Sequence, residues 1–167
     1  MVVEGKARSL NSKAGLIFPL IALAVILLDQ VTKSWIVTHM VPGQSIPEDG
    51  TIAITYVRNT GAAFGLLANQ SLLITFAALV GIAAIFLYYA HPPLQTLWIR
   101  AGLGLILGGA IGNLVDRLRL GYVIDFIDLR VWPVFNVADS CITVGTGILA
   151  YYFLFMAPRR KGRLEER

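Results

Sequence analysis

The sequence predicts an all-α integral membrane protein, a bundle of four transmembrane helices in one domain that spans residues 1–167. Three observations predict this fold. Hydrophobic residues make up 56% of the chain, charged residues only 14%, and the mean hydropathy is +0.70, whereas soluble domains carry about 25% charged residues. Four apolar segments have roughly the 20 residues that a spanning helix needs. Basic residues cluster at both ends of the chain, which is the positive-inside pattern and not a nucleic-acid-binding patch.

The four helices are expected at about residues 15–37, 72–90, 97–114 and 137–157. An even number of spans places both termini on one side of the membrane, and the Lys and Arg residues beside them place that side in the cytoplasm. The first apolar run is not followed by a small-residue cleavage site, so we expect it to remain as a helix.

Two segments, about 38–71 and 115–136, are then expected on the outer membrane face. The first contains TIAITYV, a β-branched and aromatic run that is typical of a strand, with a disordered loop as the alternative. The glycines that follow predict a mobile lid segment around Arg58–Leu67. The second segment is too apolar for a free loop, and its Tyr122, Trp132 and Phe135 fit an interfacial belt. Both segments are expected to rest as platforms on the headgroups.

The third helix carries Gly104, Gly108 and Gly112 at four-residue spacing, with Gly109 beside them. This small-xxx-small pattern lets helices approach closely in lipid. We expect the glycines to serve packing alone.

Asp125 and Asp139 are the candidate catalytic residues. They lie fourteen residues apart, in the runs VIDFI and FNVADS, each beside a long apolar segment. A carboxylate at the membrane edge is costly and therefore indicates a functional site. Two close carboxylates share a proton and can activate water, as in aspartic proteases. Taken singly, Asp139 could belong to a helix cap at Asn136. Asp125 could be an interfacial loop acid, as Asp128 is expected to be.

Asn113, Asp116 and Arg117 follow the glycines and are expected at a tight helix junction. Asn113 and Arg117 share a helix face, so the amide could orient a nearby carboxylate. Arg117 could meet a phosphate or extend to the membrane interface. Asp116 is expected to be solvated or paired with Arg119.

Asp29 and Lys33 are four residues apart on the first helix and share a face. They could form a structural ion pair, or could contact a lipid headgroup or the active site. No metal site is expected, because His39 and His91 fall on opposite membrane sides and no ligand motif is present. Cys141 is expected to be a packed thiol.

Five ordered blocks of the chain resemble the bacterial lipoprotein signal peptidase family, also called signal peptidase II. The blocks are LDQVTK, RNTGAAFG, GGAIGNLVDR, VIDFI and FNVADSCITVG. The resemblance implies an intramembrane aspartyl endopeptidase that removes the signal peptide from diacylglyceryl-modified prolipoproteins. It also implies cleavage just before the lipidated cysteine, by water that the aspartate dyad activates, and a small β-cradle on the outer face.

The resemblance also implies roles for individual residues. Asp125 and Asp139 would form the dyad, and Asn59 and Gly61 would belong to the substrate-facing β-cradle. Asp29 and Lys33 would support the helix arrangement around the site. Three further residues would contact the substrate or line the site: Asn113, Arg117 and Asn136.

The implied partners are lipid-modified prolipoprotein signal peptides and membrane lipids, with no cofactor, no metal and no nucleic acid. The implied location is the bacterial cytoplasmic (inner) membrane, with the active site near the outer face and the protein a monomer. The alternative is a small proton-coupled transporter or membrane assembly factor. A transporter would be expected to carry internal repeats and a midplane site, and the sequence shows no repeat.

Overall fold

The computed structural model describes residues 2–61, 71–90 and 96–157, apart from the side chains of residues 2–14 and 71. This part of the chain forms long helices and one small sheet. In chain order the elements are α1 (Val2–His39), β1 (Ser45–Ile46), β2 (Ala53–Asn59), α2 (Ser71–Ala90), α3 (Leu97–Leu120), β3 (Val123–Asp128) and α4 (Val137–Tyr151), which continues as a π-helical turn over Tyr152–Met156.

Four of the described helical stretches are long and apolar enough to cross a membrane, and this confirms the predicted membrane fold. The third helix differs from its prediction because α3 continues past Leu114 to Leu120. Its polar residues find partners inside the fold and therefore do not end it. It ends at Gly121, whose φ of 81° is left-handed and whose N–H bonds the Arg117 carbonyl. The four stretches are Gly15–His39, Leu72–Ala90, Leu97–Leu120 and Val137–Met156.

The glycines of α3 allow it to pack closely against two other helices. A Cβ added to Gly104, Gly108 or Gly112 would lie under 3.0 Å from atoms of α1. One added to Gly109 would collide with the backbone oxygen of Ala138 in α4. The small-xxx-small prediction is therefore confirmed, and α3 is the central helix that sets the spacing of α1 and α4.

The three strands form an antiparallel sheet in the order β1–β2–β3. β2 confirms the strand predicted from TIAITYV. β3 shows that VIDFI, predicted as part of a surface platform, is also a strand. In the register Val57 pairs with Asp125 and Asn59 with Val123. The sheet packs against one end of α1. We call this end of the helix bundle the sheet end. The buried cluster that joins them consists of Ile36, Met40, Tyr56, Ile124 and Phe126.

Asp128 is a buried strand residue, so the prediction that it is an interfacial loop acid is wrong. It ends β3 and is 6% exposed. Its carboxylate accepts hydrogen bonds from Thr55 Oγ1 at 2.7 Å and from the Arg130 backbone N–H at 2.8 Å, and these bonds lower the pKa of Asp128. The Arg130 guanidinium donates to Ser45 Oγ and to the Pro47 carbonyl. These contacts tie the β1–β2 connection to the end of β3.

Candidate active site

Asp125 lies within β3, and its carboxylate is buried at the sheet end of the bundle. Asn59, on the neighbouring strand, donates its side-chain amide to Asp125 Oδ2 at 2.8 Å. Asn136 donates to Oδ1 at 2.7 Å. The residue is only 1% exposed. Because both oxygens accept a hydrogen bond, the carboxylate is held in one orientation without help from bulk water.

Asp139 lies in the first turn of α4, where it forms a capping box with Asn136. The Asn136 side chain accepts the Asp139 N–H at 2.9 Å, and Asp139 Oδ2 accepts the Asn136 N–H at 3.3 Å. Asp139 Oδ1 lies outside this exchange and accepts a hydrogen bond from Asn113 Nδ2 at 2.8 Å. One oxygen therefore caps the helix while the other belongs to the site.

Two asparagines join the two carboxylates into one cluster. Asn136 Nδ2 donates to Asp125 Oδ1 and also lies 3.1 Å from Asn113 Oδ1. Asn113 in turn donates to Asp139. The structure thus brings together four residues that come from three different elements and their connections. Asp125 and Asp139 are close enough to interact electrostatically, and such a pair can share a proton and hold a water molecule for attack.

Burial, and after it the negative charge of Asp139, raise the pKa of Asp125 to about 7. The hydrogen bonds from Asn59 and Asn136 and the positive charge of Lys33 oppose this rise. A carboxyl with this pKa is about half protonated at neutral pH. It can therefore act as a hydrogen-bond donor under conditions where an ordinary aspartate is fully ionised.

Lys33 fixes the orientation of the Asn113 amide. Its Nζ, which can only donate, lies 2.8 Å from Asn113 Oδ1, and this leaves Asn113 Nδ2 for Asp139. The same Nζ pairs with Asp29 Oδ2 and with Asp116 Oδ2, both at 2.9 Å. The ion pair that the Asp29–Lys33 spacing predicts is therefore present, and it lies inside the bundle and not against a lipid headgroup.

The prediction for Asp116, like that for Asp128, is wrong. It is 3% exposed and pairs with Lys33, so it is neither solvated nor paired with Arg119. Its Oδ2 also accepts the backbone N–H of Ile124 at 3.1 Å. The sequence does contain one indication that Asp116 is buried with the site. It lies three residues from Asn113, and this spacing places both side chains on the same helix face.

Arg117 and Gly61 lie at the margin of the cluster. Arg117 Nη1 is 3.5 Å from the Asn113 carbonyl, and its guanidinium is close enough to Asp139, Asp125 and Asp116 to interact with them electrostatically. Gly61 donates its N–H to Asn59 Oδ1 at 2.9 Å, which leaves the Asn59 amide nitrogen for Asp125. The predicted lid segment continues beyond Gly61 into residues 62–67, which lie outside the described part of the chain.

A mostly apolar cavity of about 350 Å³ opens beside Asp139. Its wall comes from the connection after β3 and from the first turns of α4. A cavity that combines an apolar wall with one acid can accept an apolar side chain or an acyl chain next to a reacting carbonyl. The main lining residues are Leu129, Trp132, Phe135, Asp139, Thr143 and Val144.

Among the other candidate ligands and nucleophiles, Cys141 and His39 make no hydrogen bond to this cluster. Cys141 is a half-buried free thiol. The His39 ring stacks on Trp35, whereas His91 lies outside the described residues. Within residues 2–61, 71–90 and 96–157, no group of three or more His, Cys, Asp or Glu side chains is arranged to hold a metal ion.

Comparison with known proteins identifies the family of this chain. Residues 21–155 match the family described as Signal peptidase (SPase) II. A lipoprotein signal peptidase of Moorella thermoacetica is 49% identical over 142 residues, which cover 84% of this chain and 94% of the relative. One of Clostridioides difficile is 41% identical over 150 residues, covering 87% of this chain and 100% of the relative. A bacterial membrane enzyme solved by the in meso method at 2.3 Å resolution superposes with a TM-score of 0.77 at 32% identity, covering 90% of this chain and 94% of that one.

Proposed function

The chain belongs to the signal peptidase II family, and from that premise we propose that Asp125 and Asp139 form an aspartyl dyad that cleaves prolipoproteins just before their lipidated cysteine. Membership makes the protein a membrane-embedded hydrolase that removes signal peptides from prolipoproteins. The observation that carries the proposed mechanism is the pair of carboxylates that Asn113 and Asn136 join.

The reaction needs one proton on the pair. The raised pKa of Asp125 supports placing that proton on Asp125 in the resting enzyme, with Asp139 as the base. Asp139 takes a proton from water, whose oxygen bonds to the scissile carbonyl carbon. The carboxyl of Asp125 donates a hydrogen bond to the developing oxyanion. The C–N bond then breaks as the proton on Asp139 passes to the leaving amine.

The cavity beside Asp139 suits a substrate that carries acyl chains. Its wall combines apolar side chains of the connection after β3 with the first turns of α4. α4 begins the stretch Val137–Met156, which is long and apolar enough to span the membrane. A diacylglyceryl group on the substrate cysteine could remain in or beside this cavity while the scissile bond reaches the carboxylates. Asn59, Gly61 and Arg117 would face the peptide at the margin of the cluster.

The proposed location is the bacterial cytoplasmic (inner) membrane, with both termini in the cytoplasm and the sheet end facing outward. The four candidate spans among the described residues and the Lys and Arg residues at both chain ends support this orientation. The substrate, anchored by its acyl chains, would then meet the carboxylates at the outer edge of the bilayer. The protein is proposed to act as a monomer in contact with membrane lipids.

The proposed activity predicts a strong preference for a lipid-modified precursor. Purified protein in bilayers would be given two prolipoproteins that differ only in the diacylglyceryl group on the cysteine. We expect the modified precursor to be cut at least about 100-fold faster, because the acyl chains contribute binding energy at the reacting bond. Mass spectrometry should find the cysteine at the new N-terminus. Equal rates for both precursors, or a cut elsewhere, would contradict the proposal.

The raised pKa of Asp125 predicts how activity changes with pH. Asp125 keeps its proton below pH about 7 and loses it above. Because the active pair carries one proton, kcat/KM should fall on the alkaline side with an apparent pKa near 7 that belongs to the pair. The profile would be measured from about pH 5 to about pH 9, with the thermal unfolding midpoint recorded at each pH as the control. A rate that keeps rising through the alkaline range would rule out this assignment of the proton.

A further inference from the structure

A second pair of carboxylates lies beneath the first. Asp29 in α1 and Asp116 in α3 are bridged by Lys33, whose Nζ is 2.9 Å from an oxygen of each. All three residues are buried: Asp29 is 0% exposed, Lys33 1% and Asp116 3%. The proposed mechanism moves no proton through these three residues. Buried charges are costly even when they are paired, so this cluster calls for a role.

Each carboxylate of the second pair holds the backbone one residue before a member of the dyad. Asp116 Oδ2 accepts the N–H of Ile124 at 3.1 Å, and Ile124 precedes Asp125. Asp29 Oδ1 accepts the N–H of Ala138 at 3.1 Å, and Ala138 precedes Asp139. The two contacts therefore have the same form, although one dyad residue lies on a strand and the other on a helix.

Lys33 connects these backbone contacts with the side chains of the dyad. Besides bridging the two acids, it fixes the amide of Asn113, which donates to Asp139. Asn113 also accepts from Asn136, which donates to Asp125. One ammonium group thus lies at the centre of the contacts that hold both dyad residues, through the backbone and through the side chains.

We propose that the Asp29–Lys33–Asp116 bridge is a positioning device that sets the separation and relative orientation of the Asp125 and Asp139 carboxylates. This inference rests on the proposed function. Between β3 and α4 the chain runs through a connection of residues 129–136, and the bridge provides a shorter, rigid link between the residues just before the two acids. A displacement of about 1 Å in a reacting group can lower a rate by roughly 100-fold.

The first test separates positioning from substrate binding. In Asp116→Asn the shape is kept, but the negative charge that holds Lys33 is lost. A single oxygen must then accept from Lys33, Ile124 and Gln30, which the carboxylate serves with two oxygens. We expect kcat to fall by about 100-fold while KM stays within about twofold. Asp116→Glu should not restore the rate, because the extra methylene displaces the carboxylate. The control is Thr38→Val on the exposed face of α1, where the hydroxyl bonds the Ser34 carbonyl of the same helix; it should keep a wild-type kcat.

The second test does not depend on activity. Hydrogen–deuterium exchange would be followed by mass spectrometry in the peptides that contain Ile124 and Ala138. Asp116→Asn should speed exchange at Ile124, Asp29→Asn should speed it at Ala138, and Lys33→Met should speed both. Uniform faster exchange throughout the bundle would show a general stabilising role and overturn the inference.

Failure of the positioning role can be distinguished from failure of the proposed mechanism. If dyad variants retained cleavage, the mechanism would be wrong whatever the exchange pattern. If dyad variants are inactive but Asp116→Asn keeps kcat within about threefold of the wild type per folded molecule, the positioning role is wrong and the dyad stands.

Discussion

Asp125→Asn and Asp139→Asn should each lower the rate of prolipoprotein cleavage by roughly 10⁴-fold or more. Asparagine has nearly the same shape as aspartate but cannot take a proton from water. In Asp125→Asn the new NH2 group would face the side-chain nitrogen of Asn59 or of Asn136, both of which donate to the native carboxylate, so it could not be held toward the oxyanion. Asp139→Asn would leave the water without a base. The measurement is single-turnover cleavage of a lipid-modified precursor by purified variants in bilayers.

Loss of fold must be separated from loss of chemistry in these variants. The thermal unfolding midpoint of each should stay within a few degrees of the wild type, because the packing around both side chains is unchanged. The matched control is Cys141→Ala, two residues along α4 from Asp139, because this half-buried free thiol makes no hydrogen bond to either carboxylate. It should retain full activity. Near-normal turnover of either dyad variant at equal protein level would remove that residue from the mechanism.

Asn136→Asp should lower the rate by about 1,000-fold at neutral pH while leaving α4 intact. Aspartate is as good an N-cap as asparagine, so its oxygen can still accept the Asp139 N–H. The other oxygen, however, would replace an amide nitrogen that lies 2.7 Å from Asp125 Oδ1. Three carboxyl groups would then compete for protons, and like-charge repulsion would disturb the single-proton state of the pair. A loss of this size corresponds to about 4 kcal/mol in the barrier.

The control for this variant is Thr146→Ala, on the exposed face of the same helix, where the hydroxyl bonds only the Ile142 carbonyl. Its activity should match the wild type. Circular dichroism should show equal helix content in both variants. If Asn136→Asp cleaves at a rate close to that of the wild type at pH about 7, the amide at residue 136 does not organise the two acids.

The helical part of the fold could be predicted because membranes impose a simple length rule on apolar segments. β2 was also predictable from its β-branched and aromatic residues. The end of α3 could not be predicted from the sequence, because a polar residue after an apolar run normally reaches water. Here Asp116 and Arg117 remain helical up to Leu120 since their partners lie inside the bundle.

The members of the candidate site could be named from the sequence, but their connections could not. Asp29 and Lys33 share a helix, so their spacing alone predicts the ion pair. The partner of Asp116 lies on a different helix, and its identity depends on how α1 and α3 are rotated against each other. That rotation follows from glycine contacts between the helices, which no single-helix pattern contains. The hydrogen bonds that the backbone N–H groups of Ile124 and Ala138 donate to Asp116 and Asp29 cannot be predicted from the sequence for the same reason.

The apolar cavity beside Asp139 has a consequence for how the enzyme encounters other molecules. In the proposed orientation the cavity meets the bilayer, and a ligand that enters it has first dissolved there. Its relevant concentration is then the number of molecules per area of lipid and not the number per volume of water. Adding inert lipid would dilute substrate and inhibitor alike while the aqueous amounts stay constant. Potency would therefore follow a compound's membrane partition coefficient as closely as its fit to the cavity.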